Sequence, residues 1–221
     1  MRVLRIPELY SKLKSAFGYR GWWPAETRDE IIIGAILTQQ TSWKNVEKAI
    51  SNLRDEGLLD LRKISAASTP RLERCIRPSG FYRQKAGRLK GFARHVFSNY
   101  SSLDEMFSKG AGELREELLS INGIGKETAD SISLYAAGKL MFVIDAYTKR
   151  ILSRVYGSDP RIAYDELRFN ISGSIPDDLE LYKDFHAQFV ELGKRYCKTK
   201  PLCNECPVKS YCRYQSSNGD N

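Results

Sequence analysis

An all-α protein built as two helical lobes is what this sequence predicts, on three observations. Apolar residues recur at helical spacing along most of the chain, and no segment sustains the alternation of a half-buried strand. Gly, Pro, Ser and Asn separate the periodic stretches at short intervals. About nine or ten helices are expected from that punctuation.

The elements follow in order. Thr27-Arg28-Asp29-Glu30 forms a capping box ahead of the apolar run Ile31 to Leu37. Val46, Ile50 and Leu53 mark the inward face of the next helix, and Pro70 suits a first helical position after Thr69. Leu114 and Leu118 share a helix face before Ile121-Asn122-Gly123-Ile124-Gly125. Ala129, Ile132 and Tyr135 then mark a further helix closing at Gly138. These are two helices joined by a very short glycine turn. A β-like run from Leu140 to Ile144 leads to Asp145 at the N-cap of a helix that turns Thr148, Ile151, Leu152 and Val155 inward and ends before Gly157. The stretch Ser216 to Asn221 is small and polar and is expected to be disordered.

With 221 residues, 42% of them hydrophobic, the chain can bury one substantial core or two linked lobes. Its longest apolar stretches fall far short of the roughly 18 residues of a membrane span. The opening residues lack the apolar core and cleavage site of a secretory signal, which predicts a cytoplasmic protein with reduced thiols. Thirty-five basic against 27 acidic residues leave a net charge of +8. That excess suits a polyanionic partner, because counterions released from phosphates favour binding, though many basic proteins bind no nucleic acid.

Two glycines one residue apart between helices allow backbone conformations closed to other residues and expose N–H groups at the start of the second helix. Such a terminus, with Lys126 beside it, would hold one phosphate without reading sequence; an ordinary tight helical hairpin is the alternative. Asp145 is a favoured N-cap, worth about 1 kcal/mol. A carboxylate so fixed can also stabilise a nearby positive charge and orient water.

Four of the five cysteines crowd into Cys197-x5-Cys203-x2-Cys206-x5-Cys212. Four thiolates can hold zinc or a four-iron four-sulfur cube, and by count alone zinc is the default. Cys75 stands at helical spacing among apolar residues and reads as core. His95 and His186 are too far apart in sequence to suggest a histidine metal site.

The segment Leu118 to Asp130, followed by Val143-Ile144-Asp145-Ala146-Tyr147, resembles the helix-hairpin-helix and catalytic aspartate of the endonuclease III superfamily of DNA glycosylases, and the resemblance covers most of the chain. It implies a monomeric base-excision-repair enzyme, placed at the nucleoid, that flips a damaged base out of double-stranded DNA. Gly123, Gly125 and Lys126 would grip the strand, Gln40 would fill the place of the extruded nucleotide, and Asp145 would sit beside its sugar. The flanks Leu192 to Cys197 and Cys203 to Pro207 resemble the family's cluster loop. They imply a 4Fe-4S cluster on Cys197, Cys203, Cys206 and Cys212, with a first spacing of five residues where six is usual. Lys198, Lys200, Lys209 and Arg213 around it read as phosphate contacts or as a solvated basic face.

Bifunctional members carry a lysine nucleophile where Glu127 stands here. Lys126 precedes it by one residue, about 100° around a helix, so it should face the phosphate. A monofunctional enzyme that uses water and leaves an abasic site is therefore implied. Trp22, Trp43 and the segment Arg77 to Tyr82 resemble the 3-methyladenine DNA glycosylase III subfamily. Trp22 and Trp43 would then line the pocket for an alkylated purine, with Trp23, Pro24 and Glu127 as further candidates; Glu127 also reads as a solvated first-turn residue. Uracil, mismatched thymine or an oxidised base are alternative substrates for the same fold. A bifunctional glycosylase/AP lyase and a non-catalytic DNA-binding module are further alternatives. The lobes are expected at 29–137, a helical barrel including the hairpin at 113–137, and at 1–28 plus 138–221, including the cysteine loop at 197–212. The active site is expected between them.

Overall fold

The computed structural model describes residues 3–218, and among them the regular structure is helical, with no strand. In chain order the α-helices are α1 (Ile6–Phe17), α2 (Arg28–Leu37), α3 (Trp43–Asp55), α4 (Leu61–Ala66), α5 (Thr69–Ile76), α6 (Tyr82–Asn99), α7 (Leu103–Phe107), α8 (Ala111–Ser120), α9 (Lys126–Ser131), α10 (Ala146–Tyr156), α11 (Tyr164–Ser172), α12 (Leu179–Arg195) and α13 (Arg213–Asn218). There are more of them than expected because short polar segments close single turns. The Asp60 carboxylate accepts from the Lys63 N–H to start α4, and the Ser102 hydroxyl accepts from the Glu105 N–H to start α7. The chain forms two compact units, one joining the chain up to Trp23 with the chain from Leu140 onward, the other spanning Pro24–Lys139.

The Pro24–Lys139 unit is organised on α2. Ile32, Ile33, Ile36 and Leu37 are fully buried, and the helix is apolar nearly all round, as a helix enclosed by its neighbours must be. Thr27 accepts from the Glu30 N–H as expected, but the Glu30 carboxylate reaches the Glu26 N–H instead of closing the box on Thr27. Ser68, not Thr69, caps α5, so Pro70 falls at its second position. The hairpin is α8, a turn and α9. The Arg115 guanidinium donates to the fully buried Asp130 carboxylate at 2.6 Å and ties its two helices together. Ala129, Ile132 and Tyr135 are inward as expected, but α9 ends at Ser131 and the chain continues through a wider π turn, Ile132–Ala136.

In the other unit the run Leu140 to Ile144 takes no regular secondary structure, and no strand among the described residues pairs with it. Met141, Phe142, Val143 and Ile144 are buried instead against helices. Phe142 meets Tyr182, Phe185 and Phe189 of α12 edge-on at 5.8, 5.6 and 6.4 Å, and Phe185 stacks on Phe189 at 4.7 Å. This aromatic knot anchors the chain three residues before Asp145. α10 and α12 pack closely because Gly193 has no side chain: a Cβ there would overlap the Tyr147 ring. The sequence placed disorder from Ser216 on. The backbone of Ser216 to Asn218 completes α13, and 219–221 lie outside the described residues.

Candidate functional site

Asp145 caps α10. Its Oδ1 accepts from the Thr148 N–H at 2.7 Å, and its Oδ2 lies 3.7 Å from Nε2 of His186 on α12. Burial alone would push the carboxyl up. His186 and the Thr148 N–H outweigh that and hold it below the usual aspartate range, so the group is a carboxylate at neutral pH. Thirteen percent of its side chain stays exposed, against 5% for His186, so a ligand can approach the aspartate and not the histidine. The sequence offered no signal for His186, because the contact joins two helices distant in the chain.

Within the Pro24–Lys139 unit, the hairpin turn corrects one expectation. Gly123 takes φ +86°, a conformation that excludes most side chains, whereas Gly125 at φ −90° is ordinary extended backbone. A Cβ at Gly125 would meet nothing within 4 Å, so the space beside it at the start of α9 is open. Lys126 and Glu127 are exposed on that first turn. Gln39 binds the hairpin directly, donating to the Gly123 carbonyl at 3.0 Å and to the Thr128 hydroxyl at 2.9 Å and accepting from Arg88. Gln40 is turned outward, exposed, with a left-handed backbone at φ +55°. Phe81, at the start of α6, shares that conformation at φ +46° and is 57% exposed. A left-handed non-glycine residue costs about 1–2 kcal/mol, so both are held by their surroundings. Phe81 was missed as a candidate. Its signal was an aromatic side chain straight after Gly80 in a turn.

The aromatic candidates divide between the units. Trp22 and Trp23 belong to the unit with Asp145; both are half-buried and tilted at 5.5 Å, and the Lys194 ammonium lies 5.2 Å from the Trp22 ring. Pro24 and Trp43 belong to the other unit. Trp43 opens α3, half-buried, with its indole N–H donating to Glu47 at 2.9 Å.

The four C-terminal cysteines are free of disulfides and line one recess, partly open to solvent, with Ile151, Val155, Leu192 and Val208. Cys206 is pushed up to about 11 by burial, reinforced by the other three cysteines, so thiolates there need a compensating cation. Arg154 supplies part of one, donating to Cys197 Sγ at 3.4 Å and to the Lys198 and Thr199 carbonyls. Among the described residues no three of His, Cys, Asp and Glu form a group that would hold a single metal ion. Cys75 is buried in the Pro24–Lys139 core. No helix of the described residues is long and apolar enough to cross a membrane.

Helical fold, glycine hairpin and capped aspartate together define a DNA glycosylase of base excision repair, and comparison with known proteins agrees. Residues 33–177 match the HhH-GPD superfamily base excision DNA repair protein family. The chain is 49% identical over 209 residues to a Methanocaldococcus jannaschii protein that carries the name of a DNA repair glycosylase, covering 94% of this chain and 95% of that one. It is 29% identical over 190 residues to endonuclease III of Thermotoga maritima, covering 86% and 84%. Among solved structures, 3-methyladenine DNA glycosylase of H. pylori, bound to 1,N6-ethenoadenine, aligns with a TM-score of 0.79 at 31% identity over 87% of this chain and 98% of that one. An endonuclease III–DNA complex aligns with a TM-score of 0.82 at 21% identity over 98% and 97%, a likeness of fold. The chain belongs to the HhH-GPD superfamily.

Proposed function

We propose that the protein is a monofunctional DNA glycosylase that releases alkylated purines from duplex DNA, with Asp145 as its catalytic carboxylate. The observation that carries this reading is the state of Asp145: ionised, oriented by its own helix cap and by His186, and still partly exposed. A carboxylate with those properties stabilises an oxocarbenium-like sugar as the glycosidic bond breaks and orients the attacking water. Gly123, Gly125 and Lys126 hold a backbone phosphate of the damaged strand, and Gln40 fills the emptied stack. Trp22, Trp43, Trp23 and Pro24 are the candidates to stack on the flipped base, and a cationic alkylpurine would gain a cation–π contribution from such rings. The 1,N6-ethenoadenine bound by the H. pylori relative, itself a modified purine, supports this substrate class.

Glu127 stands where an amine would be needed for lyase chemistry, and Lys126, exposed one residue earlier, is assigned to the phosphate, so water is the nucleophile and an abasic site is the product. The four cysteines share one recess, and four thiolates are the number a 4Fe-4S cluster needs, one for each iron. Bound on Cys197, Cys203, Cys206 and Cys212, the cluster ties the loop together and supplies no step of hydrolysis. The enzyme acts as a monomer at the nucleoid.

Base release from duplexes bearing 3-methyladenine, 7-methylguanine, uracil, mismatched thymine or 8-oxoguanine, read with and without alkali, tests the proposal. Alkali-dependent cutting confined to the methylpurine duplexes is expected. Release of uracil or thymine alone would replace the substrate, and strand cutting without alkali would replace the mechanism.

A further inference from the structure

Lys85 lies near the start of α6, in the Pro24–Lys139 unit, and is the one lysine named among its buried residues, with 1% of its surface exposed. Its ammonium donates to two backbone carbonyls, Leu37 at 2.9 Å and Ser79 at 2.7 Å. Leu37 is the last residue of α2, and Ser79 ends the short 3₁₀ turn Arg77–Ser79. Both carbonyls therefore sit at the negative ends of helical segments, which is where a cation is accommodated best.

An ammonium in this core is costly. Burial, with Arg88 nearby, draws it down to about 8, and an apolar side chain of similar length would occupy the same space more cheaply. Its position explains why a cation stands there. Three residues beyond Leu37 is Gln40, and two beyond Ser79 is Phe81. These are the non-glycine residues with positive φ among those described, and both are exposed. One buried group thus grips the roots of both loops whose strained residues project outward.

We propose that Lys85 is a positioning residue that fixes the Gln40 and Phe81 loops together, so that both side chains are presented to the duplex as one preset pair. The duplex role rests on the function proposed above; the clamp itself does not. Lys85 acts through the two carbonyls and touches no substrate. Without the ammonium each loop relaxes its left-handed residue independently, and base extrusion slows because no preformed pair meets the helix. Chemistry on a base that is already unstacked is left alone.

The test uses the full chain with Lys85→Met, which keeps the stem and removes the ammonium. Lys85→Gln, which retains an amide donor, takes its place if the first variant does not fold. Hydrogen exchange of the DNA-free protein should show residues 38–41 and 79–82 losing protection together, by tenfold or more, while α2 and α6 stay protected. Single-turnover release of a methylpurine should fall at least tenfold in a fully paired duplex and less than twofold where the lesion faces a gap. Loosening of one loop alone, or of neither, overturns the clamp. So does an equal loss of rate on paired and gapped substrates. If the loops loosen as expected but the wild-type protein releases no base from any duplex, the clamp stands and the glycosylase reading falls.

Discussion

The Asp145 carboxylate and the His186 ring face each other across 3.7 Å from two different helices, and the histidine is the more deeply buried of the two. The pair works in one direction: His186 and the Thr148 N–H keep Asp145 ionised against the desolvation that burial imposes.

Asp145→Asn should retain the cap, since Asn and Asp are similar N-caps. It should leave DNA affinity nearly unchanged and lower thermal stability somewhat, because the charge that His186 and the Thr148 N–H favour is gone, while base release falls about a thousandfold. His186→Phe removes the larger part of what offsets burial and leaves the Thr148 N–H, so Asp145 should rise and the acid limb of the pH–rate profile should move to higher pH. The sign follows from the depressed aspartate: its contribution to stability is present above the unfolded-state value and is lost as pH falls through the folded one. An acid limb that stays in place in His186→Phe would remove the histidine from this role.

Wild-type protein incubated with a methylpurine duplex and borohydride should yield no covalent complex, because Glu127 carries no amine. A trapped complex would require Lys126, or another lysine, to reach the sugar.

Much of this was legible in the chain. The Asp145 cap, the hairpin and the inward faces of α2, α3, α8 and α10 follow from local rules, in which side chains within four residues decide the backbone. What was not legible depends on groups brought together from afar. His186 meets Asp145 only through the packing of α10 on α12, and Lys85 meets Leu37 and Ser79 only in the folded unit. The run 140–144 has the composition of a strand, but in the folded unit Phe142 packs on aromatic rings of α12 and no strand of the described residues pairs with it. Gly125 shows the limit of motif reading: Gly-x-Gly suggested two special backbones, and one of them is ordinary.

The proposed cluster on the four cysteines has a direct readout. Purified protein should absorb near about 400 nm and carry about four irons per chain. Cys203→Ser should lose the absorption and melt at lower temperature, because the loop 197–212 would lose its tie. A colourless protein with one zinc and the same melting temperature would reverse the assignment.

Gly193→Ala should destabilise by about 1–3 kcal/mol, since the new methyl would overlap the Tyr147 ring between α10 and α12. In a chain of this size that lowers the melting temperature by several degrees, about 2–4 °C for each kcal/mol. Activity should fall further than stability accounts for, because α10 and α12 also carry Asp145 and His186. An unchanged melting temperature would mean the interface yields freely.

Glu117 on α8 is a separate acid-sensitive point. Its carboxylate accepts from Lys109 at 2.5 Å and Tyr100 at 2.6 Å and lies 2.8 Å from His95. Burial would raise it, but the hydrogen bonds from Lys109, Tyr100 and His95 prevail and bring it down to about 2 from an ordinary 4.5. A shift of that size corresponds to about 3 kcal/mol. Lys109 is 36% exposed, so solvent screening reduces the expected value to on the order of 1–2 kcal/mol. Because the folded-state value is depressed, this stability is complete above the unfolded-state value and drains away as pH falls toward 2. Urea midpoints for wild type and Glu117→Gln should therefore differ by a constant amount above about pH 5 and converge as the solution is acidified. A difference that persists unchanged down to about pH 2.5 would show that Glu117 contributes packing and not charge.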